Sequence, residues 1–188
     1  MTEEDQYIVL SMSFDVDQNS DNLVWELKNP DLGSASYDDS TTQYGVGAGT
    51  VTFYQGENVM LEVKGGGASA NGFTSFQILE CCLITRPKVV IAGTGITTRY
   101  ASPSPFLQSI GSSYFFENDF SSNVEDKDHY RTITQLWKRT LNIEHTNGTW
   151  ELSLNLTVRI LRGYEAVDIR VFRFDPEVQV GNGTRPGG

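Results

Sequence analysis

Histidine, cysteine and methionine are scarce in this chain: two, two and three among 188 residues. With only His129 and His145, a three-histidine metal centre is excluded, which argues against a metal-dependent cupin-type oxygenase. The cysteines are the neighbours Cys81 and Cys82, inside an apolar run. Successive side chains of a strand point to opposite faces, so these two are badly placed to join each other. The expectation is two buried thiols in a reducing compartment, with a redox-active vicinal disulfide as the alternative. No apolar run approaches the ~18 residues a membrane helix needs. The opening Met1-Thr-Glu-Glu-Asp-Gln6 is acidic where a signal peptide is basic. A cytoplasmic protein without membrane insertion is therefore expected, with signal-less export left open. Basic residues are few as well. There are 14 against 24 acidic ones, and a formal charge of −10 repels phosphate backbones and argues against a nucleic-acid partner.

Catalytic signatures are missing too. No Gly-x-Ser-x-Gly elbow, phosphate loop or dinucleotide fingerprint occurs, and Gly93-Thr-Gly95 means only a tight turn. Carboxylates are too common here to single out a glycosidase pair. His145 falls in an expected turn, and His129 follows the acidic stretch Glu125-Asp-Lys-Asp128, where a loop salt bridge accounts for it. No catalytic residue is assigned, and the protein is expected not to be an enzyme.

What is present is period two. A hydrophobic content of 38% suits a packed domain, and one β-sandwich spanning 1–188 is expected, with 181–188 as a flexible tail. Ile8, Leu10, Met12, Phe14 and Val16 form one face of a first strand, and Leu23, Trp25 and Leu27 one face of a second. Val51–Phe53 and Val59–Val63 flank Gln55–Asn58, which reads as a hairpin turn, and 64–72 reads as a glycine-rich loop. Phe73–Ile84 and Lys88–Ile91 are apolar enough for central strands broken at Arg86-Pro87. Residues 105–110 have room for one or two helical turns. Ile133–Ile143 and Trp150–Ile160 are joined through Asn147-Gly148, a strong hairpin signal, which predicts one long antiparallel hairpin. Val167, Ile169 and Val171 make a last strand that stops at Asp175-Pro176. The fold class is all-β: a single antiparallel β-sandwich of about eight or nine strands with little helix.

Two features carry candidate chemistry. Asp15, Asp17, Asn19 and Asp21, followed by Glu26, offer oxygen ligands at positions 1, 3, 5, 7 and 12 of a calcium-type loop. Against calcium, position 6 is Ser20 rather than glycine, and the flanks read as strands. A polar turn is the other reading. Segments around Tyr37, Tyr44, Tyr100 and Tyr114 mix aromatic rings with amides and carboxylates, which suits a glycan ligand. Ordinary turn formers would look the same, and Phe115 or Phe116 would then plug the sandwich end.

The run Gly148-Thr-Trp-Glu-Leu-Ser-Leu-Asn-Leu-Thr-Val-Arg-Ile160 and the closing Arg170-Val-Phe-Arg-Phe-Asp-Pro-Glu-Val-Gln-Val-Gly181 resemble the bacterial inclusion-body protein family typified by PixA and AidA. Asp21-Asn-Leu-Val-Trp25 is similar to that family's early tryptophan strand. The resemblance covers about the last 50 residues and scattered earlier positions. It implies a small bacterial β-sandwich protein of host-associated habit that accumulates in the cytoplasm, and it supplies no catalytic residues. Three functions follow as expectations: a lectin-like binding module, a self-assembling protein whose homo-oligomer is its function, or a hydrolase whose carboxylates are not visible.

Overall fold

The computed structural model describes residues 7–29, 33–37, 51–53, 55–87, 104–106, 111–145, 150–163, 165–174 and 180–182. The strands are β1 (Ile8–Asp15), β2 (Val24–Asn29), β3 (Gly33–Tyr37), β4 (Val51–Phe53), β5 (Asn58–Ala68), β6 (Phe73–Pro87), β7 (Ser112–Phe115), β8 (Phe120–Lys127), β9 (Tyr130–Trp137), β10 (Leu141–Asn142), β11 (Trp150–Arg162), β12 (Glu165–Phe174) and β13 (Val180–Asn182). A 3-10 turn, Ser69–Asn71, is the one helical element among the described residues. The protein is an all-β sandwich, as its alternation predicts. One sheet runs β3-β2-β1-β5-β9-β8, with β10 also on β5; the facing sheet runs β12-β11-β6-β7. β4 and β13 form a separate pair.

Inward rows from both sheets meet in one core. Ile8, Leu10, Met12, Phe14 and Val16 are all buried, as are Leu152, Leu154, Leu156, Val158 and Ile160 opposite them. Removing each such side chain from water contributes about 1.5–3 kcal/mol. Phe14 of β1 stacks on Phe172 of β12 at 4.6 Å and meets Phe76 of β6 edge-on at 5.2 Å. Trp25 stacks on Phe174 at 5.5 Å. Gln135, buried, donates to the Phe76 carbonyl at 2.8 Å and ties the layers together.

Several pairings differ from expectation. The sandwich is not wholly antiparallel, because β1–β5 and β4–β13 are parallel pairs. Val51–Phe53 forms no hairpin with β5, which is occupied by β1 on one side and by β9 and β10 on the other. The long hairpin across Asn147-Gly148 does not form either. β9 lies in one sheet and β11 in the other, so they share the core and not an edge, and β9 faces β6 and β7 across it. Alternation reports a buried face; it does not name the neighbouring strand. Residues 64–68, read as loop, continue β5, and 86–87 continue β6. The phase of β12 is inverted: Phe172 and Phe174 point inward while Ile169 and Val171 are 59% and 58% exposed. Two large aromatic rings bury more apolar area than two aliphatic ones and decide the phase. Among the described residues there are thirteen strands where eight or nine were expected, partly because β4, β10 and β13 are only two or three residues long. Gly181 and Asn182, expected in the tail, lie in β13. Residues 88–91, 107–110 and 146–149 lie outside the described residues, and 104–106 are not helical.

The unforeseen hairpin β8–β9 turns on Asp128 and His129, both with positive φ, 50° and 64°. That conformation costs a non-glycine residue about 1–2 kcal/mol, and Asn-Gly is the usual pair for it. The His129 carbonyl accepts the Ser69 amide at 2.8 Å, a backbone bond any residue keeps. Asp128→Asn with His129→Gly is therefore expected to raise stability by about 1 kcal/mol. The check is a higher urea midpoint at unchanged slope.

Candidate functional site: an aromatic and charged cluster at one end

Four separated segments meet where β1 and β11 end and β9 begins. Asp15 closes β1, and its Oδ1 accepts the Asp17 amide at 2.7 Å. Gln18 locks the turn: its Oε1 accepts the Asp15 amide at 2.9 Å, and its Nε2 donates to the Ser20 and Asn22 carbonyls at 3.0 and 2.8 Å. The Tyr130 hydroxyl donates to Asp15 Oδ2 at 2.6 Å. Its ring lies against Gly66 of β5, where a Cβ would come within 2.7 Å of Tyr130 Cε1. Tyr130 as a whole is still 39% exposed. Arg162 Nη2 donates to Asp17 Oδ1 at 2.6 Å, and Asn71 Nδ2 donates to Oδ2 at 2.6 Å. Arg162 Nη1 also donates to the Asn71 carbonyl at 2.9 Å, so carboxylate, amide and guanidinium are tied to one another.

Electrostatics keeps these groups in fixed states. The Asn71 hydrogen bond, followed by that of Arg162, holds the Asp17 carboxyl below the ordinary carboxylate range. Burial first, then the bond to Asp15 and the charges of Asp15 and Asp17, push the Tyr130 hydroxyl far upward, so it stays a donor. A depressed carboxyl pKa contributes stability above the unfolded value and loses it as pH falls through the folded one. Stability is accordingly expected to decline below about pH 4, and Asp17→Asn should flatten that acid limb without altering the neutral plateau's shape. Urea midpoints collected from pH 7 to pH 2 test this; an unchanged acid limb would count against it.

The residues expected in a calcium loop are only partly brought together. Asp15 and Asp17 belong to the cluster. Asn19 is exposed on the turn, and Asp21 pairs with Arg173 at 3.0 Å. Glu26 sits opposite Ser11 on β2, four residues along the strand from the end of β1, or about 13 Å away. Calcium ligands must converge to 2.3–2.6 Å of one point. Among the described residues, no group of three or more His, Cys, Asp or Glu side chains is placed to hold a metal. The two oxygens of Asp17 meet Arg162 and Asn71 instead.

Of the four predicted tyrosines, the structure describes the side chain of Tyr114 alone. Tyr114 is half-buried on β7, edge-on to Phe116 and Trp137 at 5.3 and 6.0 Å, so it closes the core instead of forming a loop surface. Phe116 is the plug, while Phe115 is 62% exposed. The backbone of Tyr37 pairs with Trp25 on the outer strand β3. Tyr44 and Tyr100 lie outside the described residues. Tyr130, Asn71 and Arg162 were not foreseen: Arg162 stands 145 residues from Asp17, and no spacing rule spans that. One signal was there. Three consecutive glycines in a strand mark a close approach of bulky groups, and Tyr130 is one of them.

Among the described residues, the two thiols are buried and three hydroxyls are bonded to one another. Cys81 and Cys82 are free, and burial pushes both thiols up. Thr85, Ser104 and Ser112 bond one another at 2.8, 2.8 and 2.9 Å, a closed hydroxyl trio. His145 is only half-buried, its amide donating to the Pro105 carbonyl at 3.2 Å rather than facing a solvated turn.

Fold and cluster together define an all-β sandwich with an aromatic, hydrogen-bonding end surface. No protein-family model, curated protein or solved structure matches the chain.

Proposed function

We propose that this protein is a non-catalytic glycan-binding module whose site is the Tyr130 end surface. The observation that carries the reading is a partly exposed tyrosine, bonded to Asp15 and within reach of the charge of Asp17, whose own carboxylate is held by Asn71 and Arg162. The C–H face of a sugar stacks on such a ring, and its hydroxyls need planar donors and acceptors at the rim. Pre-set side chains lower the ordering entropy that binding costs. Hydrolysis is the weaker reading. A glycosidase needs one carboxyl raised to act as acid, and Asp17 is shifted the other way. Calcium is not required, because Arg162 already neutralises Asp17. Membership of the inclusion-body family and a cytoplasmic location belong to this proposal, carried by the sequence motifs alone.

The test is a glycan array with the purified protein, in calcium buffer and again in EDTA. Binding in both buffers is expected. Loss in EDTA would reinstate a metal in the Asp15–Asp21 turn. A blank array in both would remove the glycan reading.

A further inference from the structure

The sheet β12-β11-β6-β7 ends on β12, a ten-residue strand. One end of that edge is closed: the Arg173 amide donates to the Asp21 carbonyl at 2.8 Å, and its carbonyl accepts the Leu23 amide at 2.9 Å. Backbone direction alternates along a strand, so the amides and carbonyls of Val171 and Ile169 aim out of the same edge. No described residue partners them. Their side chains are 58% and 59% exposed, which makes an apolar edge, unpaired among the described residues, of the kind that recruits another strand.

We propose that this edge joins two copies of the chain in an antiparallel β12–β12 ladder with its two-fold axis at Ile169. Partnered residues in an antiparallel ladder share one hydrogen-bonding orientation, so a symmetric ladder must carry a residue on its axis. Charge selects which one. Centring on Asp168 sets that carboxylate against its own copy, and centring on Arg170 does the same for the guanidinium. Centring on Ile169 places Asp168 at the register position of the partner's Arg170. Val171 then faces the partner's Val167. Like charges directly opposite destabilise a ladder and opposite charges support it. The closed end at Arg173 and the extra residue at 167, where the pairing with β11 shifts, limit the ladder to its middle. A short closed dimer forms rather than an open stack.

Solution mass and register-specific cross-linking test this. The wild-type protein is expected to run as a dimer. Residues paired across the axis have Cα atoms about 5.5 Å apart, within disulfide reach. Ile169→Cys should therefore link two chains under mild oxidation, while the buried Cys81 and Cys82 stay free. Val171→Cys should not link to itself, since its copies lie about 14 Å apart, but it should link to Val167→Cys in a mixture. Asp168→Lys, an exposed change, should weaken association at least about tenfold with an unaltered circular dichroism spectrum. A wild-type monomer at all concentrations would overturn the proposal, as would equal linking by Ile169→Cys and Val171→Cys. Glycan binding is read separately on the monomeric variant, so neither result decides the other.

Discussion

Gly65→Val is expected to destabilise the protein by about 3 kcal/mol, lowering its melting temperature by roughly 6–12 °C. Gly65 lies on the central strand β5, between β1 and β9. A Cβ there would stand 2.7 Å from two atoms of the Phe76 ring and 2.9 Å from Phe14 Cζ. Neither ring has room to retreat. Phe14 is already pressed between Phe76 and Phe172, and all three are buried. Moving them would part the two sheets at their aromatic centre, and interiors this dense accommodate an added methyl only by strain. The comparison that isolates packing is Gly56→Ala. Gly56 has φ +89° and open space around it, so that substitution costs only its backbone strain, about 1 kcal/mol. Urea denaturation of both variants decides the matter. A loss at Gly65 no larger than at Gly56 would mean the rings are looser than their contacts indicate.

The same glycines show where reading the sequence succeeds and where it stops. The alternation of Ile8 to Val16 and of Trp150 to Ile160 is a local property, set by one buried face per strand, and it appears in the structure as written. Strand neighbours are a global property. β9 and β11 each satisfied the pattern of a hairpin arm, yet what decided their places was the apolar row opposite, not the turn between them. Gly65-Gly-Gly67 resembled a loop because composition cannot tell a flexible stretch from one flattened under rings. The inverted phase of β12 has a like cause. Its aliphatic and aromatic rows both alternate, and only the packing of Phe172 on Phe14 shows which row is inside. At the candidate site, Asp15 and Asp17 were legible as a polar turn. Their partners Tyr130, Asn71 and Arg162 arrive through tertiary structure, and the partner of a carboxylate decides whether it holds a cation or an arginine.

Gly66→Ala should separate the site from the scaffold. Its added methyl would meet the Tyr130 hydroxyl, with ring atoms Cε1 and Cζ at 2.7 and 2.8 Å. Unlike Phe14 and Phe76, this ring sits at a hairpin end and is partly exposed, so it can swing outward by giving up its bond to Asp15. The stability cost is then modest, about 1 kcal/mol, the worth of one hydrogen bond. The platform is nonetheless lost, so glycan affinity should fall about tenfold or more, as it should for Tyr130→Ala. Tyr130→Phe keeps the ring over Gly66 and removes only the hydroxyl, so affinity should drop a few-fold. Titration calorimetry on the three variants, with whichever glycan the array returns, gives the order. If Gly66→Ala binds like wild type while Tyr130→Ala does not, the ring acts from a position other than the one pressed on Gly66. If all three bind like wild type, the glycan lies elsewhere on the sandwich, and the end cluster serves only to tie the Asp15–Asp17 turn to β9 and β11.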